Sequence, residues 1–404
     1  MEKKKKWVLY RHRVIRNVGA ALLRIWNLAW LGAEVKPFRE HGDRNWLVLA
    51  NHQTPYDQFF IGMSFRRPVY YLASEDLFSK KWVSDFVRWI AKPIPIVKNT
   101  ADLKAIRICM QVAREGGSIA VFPEGNRTYS GKTEYMNPAI AKMAKMLKLP
   151  IALYRIEGGF GLQPRWSDRI RRGKVRASVF RIIEPEEYAE YSDEQLFKEI
   201  REGLTVNDCA AEGNRYRSRR RAEYLERAAY VCPRCGLAVF RSGGNRIRCE
   251  SCGGEAEYGE DLRLQGVGQE FPFARYTDWY DWQTDFVRSL DLSAYYETPA
   301  FRDTADLYQV ILMKERNLLR RKAAFALYGD RITIDGQGDQ PLPLPFREIT
   351  AASVLGRNKL NLYVGDTVYQ VKGGVRFNAL KYVHFYYRYR IMTGDSKDGE
   401  FLGL

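Results

Sequence analysis

What the chain lacks narrows the field first. It has no run of ~18 to 20 uninterrupted apolar residues, so no conventional membrane-spanning helix is expected. Its N-terminus lacks a clean apolar run ending in a small-residue cleavage site, so a cleaved leader is not expected either. Histidine is scarce, with four in 404 residues, which leaves few side chains that titrate near neutrality. Cysteine is sparse too. Of its six residues, four stand in two Cys-x-x-Cys pairs, a metal spacing rather than a disulfide framework, and the expected compartment is reducing and cytosolic. Acidic side chains number 48 against 65 Lys and Arg, a formal net charge of +17 that points to a polyanionic partner, either nucleic acid or an anionic membrane surface.

Aromatic residues, by contrast, are plentiful, with 25 Tyr, 20 Phe and 9 Trp, so disorder is not expected over most of the length. The length allows two or three domains and at least one sizeable core. The most apolar segment, Val14 to Leu31, is broken by Arg16 and Arg24 and preceded by Lys3, Lys4, Lys5, Lys6, Arg11 and Arg13. A basic flank beside an apolar helix bearing Trp26 and Trp30 suits an interfacial anchor over residues 1–32, on the cytoplasmic face of a membrane and monotopic or peripheral.

From residue 45 short apolar runs alternate with helical periodicity. Trp46–Ala50, Val69–Ala73, Ile94–Val97, Ser118–Phe122, Pro150–Ile156 and Lys174–Ile183 read as strands; Asp57–Phe65, Leu77–Ile90, Ala101–Glu115 and Pro138–Leu147 read as helices. That alternation predicts an α/β domain with a mostly parallel sheet flanked by helices. Residues 192–230, with Arg215, Arg217, Arg219, Arg220 and Arg221, read as polar helix. From about residue 305 the pattern becomes period-2, over Leu307–Met313, Ala323–Leu327, Arg331–Ile334, Leu360–Val364 and Thr367–Val371, and a helix over Phe377–Tyr389 closes the set. Strands followed by a terminal helix resemble a pleckstrin-homology or GRAM-like domain, expected over residues 305–392.

Two stretches carry candidate chemistry. Directly after the first strand comes Asn51-His52-Gln53-Thr54-Pro55-Tyr56-Asp57, in which Pro55 favours a turn and Asp57 can orient one ring nitrogen of His52. The other nitrogen is then free to accept a proton, the base-plus-orienter half of a triad whose nucleophile is the substrate. After the strand Ser118–Phe122 comes Phe122-Pro123-Glu124-Gly125-Asn126-Arg127-Thr128, where Gly125 permits close backbone approach, Arg127 offers a planar cation for phosphate, and Glu124 could orient a cation or a substrate hydroxyl.

In this order, roughly seventy residues apart, the two stretches resemble the motifs of the glycerolipid acyltransferases, typified by 1-acylglycerol-3-phosphate acyltransferases. The resemblance covers about half the chain. It implies that His52 and Asp57 are catalytic and that Glu124, Gly125, Arg127 and Lys98 bind the acceptor, Lys98 standing where the family usually has Arg. It implies further an acyl donor, acyl-CoA or acyl carrier protein, and a lysophospholipid acceptor such as 1-acylglycerol-3-phosphate. The acyltransferase domain is then expected over residues 33–205, with a basic helical linker over 206–229.

Cys232-Pro233-Arg234-Cys235 and Cys249-Glu250-Ser251-Cys252 form two knuckles separated by thirteen residues. Four thiolates at that spacing suit a closed, structural zinc ribbon over residues 230–260, followed by an aromatic-rich linker over 261–304. Ribbons often bind nucleic acid, so the rival reading is a nucleic-acid-binding or scaffold protein with a degenerate acyltransferase domain. The intact dyad and the intact Glu-Gly-x-Arg favour the enzyme, and a basic, Trp-bearing helix suits a membrane better than nucleic acid.

Overall fold

The computed structural model describes residues 6–39, 44–74, 81–96, 103–311, 315–336 and 339–395. The chain divides into two compact units, residues 1–162 with 172–214, and residues 163–171 with 215–404.

In the first unit, strands β1 (Glu34–Val35), β2 (Leu47–Ala50), β3 (Val69–Ser74), β4 (Ile94–Ile96), β5 (Ser118–Val121), β6 (Ile151–Glu157) and β7 (Arg176–Ile183) form one sheet in the order β1-β7-β6-β2-β5-β3-β4. Every pairing is parallel except β6 with β7. Helices α1 (Tyr10–Trp26), α2 (Asp57–Ser64), α3 (Lys81–Ile90), α4 (Leu103–Arg114), α5 (Ala139–Leu147), α6 (Gly159–Leu162), α7 (Pro185–Ala189) and α8 (Asp193–Leu204) accompany it.

The central strand shows why its sequence is apolar throughout. Leu47 and Leu49 join a core with Ile119, Val121, Ile151 and Leu153 beneath α4, α5 and α8. Val48 and Ala50 point the other way, into a core with Ala120, Ala152, Tyr154 and the buried side of α2. A parallel strand covered on both faces has no reason to alternate with polar residues.

Helix α1 explains its two interrupting arginines. Arg16 donates to the Gly62 and Phe65 carbonyls and Arg24 to the Met63 carbonyl, 3.0 Å away. Those carbonyls lie at the C-terminal end of α2, where cations are favoured. The opposite side of α1 is left apolar and exposed: Tyr10, Val14, Val18, Leu22 and Ile25 are 47 to 81 % exposed at helical spacing. A π-helical turn, Asn27–Leu31, extends that side with exposed Leu28 and Trp30.

The second unit begins with two knuckle strands, β8 (Val231–Cys232) and β9 (Gly236–Leu237), and an antiparallel sheet of β10 (Phe240–Gly243), β11 (Arg246–Cys249), β12 (Glu255–Tyr258) and β13 (Leu264–Gly266). The aromatic stretch that follows is a helix, α9 (Tyr276–Ser289), with Tyr276, Trp279 and Tyr280 buried. Then come β14 (Phe301–Ile311), β15 (Glu315–Leu327), β16 (Arg331–Gly336), β17 (Asp339–Pro345), β18 (Ile349–Leu355), β19 (Lys359–Val364) and β20 (Thr367–Gly373), in the order β17-β16-β15-β14-β20-β19-β18. This antiparallel half-barrel is followed by α10 (Leu380–Met392), whose residues Leu380 to Tyr387 are all buried.

Two segments differ from the sequence expectation. Residues 205–224 hold no helix; Arg221 of the basic run instead donates to the Ser218 and Tyr258 carbonyls, both at 2.9 Å. The half-barrel has two strands that periodicity did not reveal. In β17 the prolines sit at every second position, with Pro343 opposite Thr333 and Pro345 opposite Arg331. Proline has no N–H, so such positions are tolerated where the amide faces away from the ladder, as on this edge strand.

Segment 163–171 leaves the first unit between α6 and β7 and is built into the second. Arg165 donates to the Val354 carbonyl at 2.8 Å, Arg227 forms a two-point pair with Asp168, and Trp166 and Arg171 are completely buried. Arg171 lies against the rings of Trp166 and Tyr258.

Candidate active site

Adjacent parallel strands end on the same edge of a sheet, which is where α/β folds gather functional groups. Leu49 of β2 is in register with Val121 of β5. His52 stands three residues beyond the first and Glu124 three beyond the second, so strand register alone carries both to one place.

His52 Nδ1 lies 2.7 Å from Asp57 Oδ2. Asp57 is completely buried in the first turn of α2 and accepts three further donors: the Gln53 amide at 2.7 Å, the Thr54 amide at 3.0 Å and the Thr54 hydroxyl at 2.6 Å. A carboxylate surrounded by donors accepts, so the ring proton sits on Nδ1 and leaves Nε2 as an acceptor. The His52 side chain remains 20 % exposed. Its ring stacks on Phe122, with centroids 4.2 Å apart and 20° between planes.

The second motif packs beneath the first. Glu124 is buried; Oε1 accepts from the His52 amide at 2.7 Å and Oε2 from the Glu134 amide at 3.1 Å. The Thr128 amide returns a bond to the His52 carbonyl at 3.0 Å. Burial pushes the Glu124 carboxyl up to about 8, against the opposing pull of those two amides. Gly125 closes the turn by donating to the Phe122 carbonyl, and its φ of +69° is the left-handed conformation that favours glycine. Arg127 is half-buried two residues further along the same loop. Lys98 lies outside the described residues.

A family model described as Acyltransferase matches residues 33–155, which contain every group just named. Residues 33–155 form an acyltransferase domain. The 1-acyl-sn-glycerol-3-phosphate acyltransferase of Bacillus subtilis (strain 168) is 19% identical over 163 residues, 40% of this chain and 78% of that one. The enzyme of the same name from Borreliella burgdorferi is 27% identical over 170 residues, 40% of this chain and 64% of that one. The crystal structure of the 1-acyl-sn-glycerophosphate acyltransferase from Thermotoga maritima aligns with 23% identity and a TM-score of 0.40, over 48% of this chain and 76% of that chain.

The acyltransferase domain also uses residues that no sequence motif marked. Glu134 Oε1 accepts from the Thr128 hydroxyl at 3.1 Å, from the Tyr129 and Ser130 amides at 3.0 Å and from the Ser130 hydroxyl at 2.8 Å, which shapes the loop after Arg127. Asn51 exchanges two 2.8 Å bonds with the Ile156 backbone and so fixes the exit of β2 against β6. A carboxylate or amide that works mainly on backbone groups leaves little trace of its partners in the sequence.

In the second unit the four knuckle cysteines converge, with all four Sγ atoms within 4.8 Å of one another. Cys232 and Cys252 are 3.6 Å apart, as are Cys235 and Cys249. Zn–S bonds of ~2.3 Å in a tetrahedron require sulfurs about 3.8 Å apart, so this donor set fits such an ion. Gly236 and Gly253, at φ of +78° and +71°, turn the two knuckles.

Proposed function

We propose that this chain is an O-acyltransferase that moves a fatty acyl group from a thioester donor, acyl-CoA or acyl carrier protein, to the free hydroxyl of a lysophospholipid, with 1-acylglycerol-3-phosphate the leading acceptor. The observation that carries this reading is the His52–Asp57 contact at 2.7 Å, at the carboxyl edge of the sheet inside the acyltransferase domain. The names of the two curated relatives supply the acceptor.

In this mechanism His52 Nε2 takes the proton of the acceptor hydroxyl as its oxygen attacks the thioester carbonyl. Asp57 holds the ring and stabilises the imidazolium that forms. Collapse of the tetrahedral intermediate breaks the C–S bond, and His52 returns the proton to the departing thiolate. The ester product and a free thiol result. Phe122 limits ring rotation and Glu124 fixes the backbone beneath it. The Gly125 turn and Arg127 would receive the acceptor phosphate, together with Lys98.

Zinc would sit on Cys232, Cys235, Cys249 and Cys252, where four thiolates leave no open position and the ion serves structure alone. Among the described residues no helix is long and apolar enough to cross a membrane. The exposed apolar side of α1, with Arg11 and Arg13 beside it, would lie in the interface of an anionic bilayer, next to a lipid acceptor.

The test is product analysis with purified full-length protein, lysophosphatidic acid, neutral lysolipids and a panel of acyl donors. Phosphatidic acid should form, and Arg127→Ala should lose turnover of the phosphate-bearing acceptor more than of the neutral ones. No acylated product from any pairing would overturn the reading.

A further inference from the structure

Gln53 faces two ways within the first unit. Its backbone N–H donates to Asp57 Oδ2 at 2.7 Å, the same oxygen that holds the His52 ring. Its buried side chain reaches the other way, and Oε1 accepts from the Gly159 amide at 2.8 Å and the Phe160 amide at 3.3 Å. The fit is close: a Cβ on Gly159 would meet Gln53 Oε1 at 2.7 Å and Thr54 Cγ2 at 3.0 Å.

Asp208 grips the same turn from the far side. Oδ1 accepts from the Gly158 amide at 2.8 Å and Oδ2 from the Phe160 amide at 2.9 Å, the same amide that Gln53 Oε1 reaches at 3.3 Å. Burial pushes its carboxyl up to about 6, so it is charged at neutral pH and accepts all of these donors. Its own amide donates to the Gly131 carbonyl at 2.9 Å, and neighbouring Asn207 bridges Lys132. Three segments are therefore tied together at Asp208: the loop that follows Arg127 through its amide, the turn after β6 through its carboxylate, and the His52 turn through Gln53, which shares the Phe160 amide with it.

We propose that Gln53 and Asp208 are positioning residues for acyl transfer, a clamp that holds the Gln53 amide on Asp57 and thereby sets the orientation and basicity of His52. The inference rests on His52 being the base. Neither residue is needed to contact a substrate. With the clamp released, Asp57 keeps the Thr54 amide and hydroxyl but loses a donor from the oxygen shared with His52. That oxygen then holds the imidazolium more tightly, so the pKa of His52 rises while the ring loses its fixed direction.

The experiment uses full-length Gln53→Ala, Gln53→Glu, Asp208→Asn and the exchange variant Gln53→Glu with Asp208→Asn. His52 is followed by NMR titration of its ring, which requires no turnover, and kcat and KM are measured with lysophosphatidic acid and acyl-CoA. Loss of one hydrogen bond should raise the His52 midpoint by about half a unit to one unit in Gln53→Ala. A misdirected base should lower kcat by ~10- to 100-fold with little change in KM. Gln53→Glu alone places two carboxyls together and should be the weakest; the exchange variant, with one carboxyl and one amide, should recover much of its kcat. If Gln53→Ala does not fold, Gln53→Met keeps the volume and removes the bonds. An unmoved His52 midpoint in folded variants, or a loss confined to KM, would overturn the clamp. If the wild-type protein acylates nothing, the proposed function fails, and the titration still decides for or against the clamp.

Discussion

The His52 amide donates to Glu124 Oε1 at 2.7 Å although 72 residues separate the two in the chain. The second motif is thus a support for the first as well as a neighbour. The resemblance to the glycerolipid acyltransferases implies that Glu124 binds the acceptor, but both of its oxygens are turned onto backbone amides. Its folded pKa of about 8 lies above the ordinary 4.5. Between those values the folded state holds a proton that the unfolded state has lost, so this contribution to stability is complete below about pH 4.5 and disappears as pH rises through 8. Glu124→Gln should therefore flatten the fall in stability between pH 5 and pH 8, measured by urea unfolding at several pH values. An unchanged pH slope in the variant would show that Glu124 is ionised throughout.

Removal of the base should be far more costly to activity than to folding. His52→Ala should lower acyl transfer by ~10²- to 10⁴-fold. Asp57→Asn should lose most activity through the wrong ring tautomer, and its melting temperature should fall as well, because Asp57 is buried among amide donors. Steady-state rates beside thermal melts separate the two effects. Near-normal turnover by folded His52→Ala would sink the mechanism.

The cysteine cluster predicts one zinc per chain. Cys249→Ser should lower the metal content and loosen the knuckles first, because ligand binding and local folding are linked. Chelation of the wild type should do the same and be reversed by added zinc. Metal analysis with hydrogen exchange across residues 231–258 reads both. Full metal content in the variant would exclude Cys249 as a ligand.

Membrane attachment should depend on the exposed side of α1. Val18→Ser, Leu22→Ser and Ile25→Ser together should release the protein from anionic vesicles, each side chain contributing up to ~1.5 to 3 kcal/mol when fully buried in lipid. The melting temperature should barely move, since all three are exposed. Added salt should weaken the wild type's attachment. Undiminished sedimentation of the triple variant with vesicles would move the anchor elsewhere.

The parts of the site that could be read from the sequence are those whose partners lie within one turn. His52 and Asp57 are five residues apart, with Pro55 between them, so spacing alone suggested their contact. The acyltransferase sheet was legible for a similar reason: strands buried on both faces, such as Leu47–Ala50, are apolar throughout and stand out between helices. Gln53 and Asp208 were not legible, because their partners are backbone amides in distant segments that any sequence supplies, and Glu134 was not, because its partners lie in an irregular loop that no periodicity marks. The basic run at 215–221 misled because charge periodicity resembles a helix face, whereas Arg221 satisfies carbonyls of irregular chain. In β17 the prolines hid the strand, since edge position is a property of the finished sheet.

The excursion at residues 163–171 sets an order of events during synthesis. Arg165 must wait for Val354, which emerges 189 residues later, before its guanidinium finds that carbonyl. At ~5–20 residues per second the delay is about 10 to 40 s. Through that interval β6 and β7 are available to pair, while for about its first half Trp166 and Arg171 also lack the ring of Tyr258. The nascent first unit thus carries a loop whose partners are complete only once β18 has emerged. Protease sensitivity of ribosome-bound chains at this loop should persist until the half-barrel has emerged, and a chain terminated after residue 214 should keep it indefinitely.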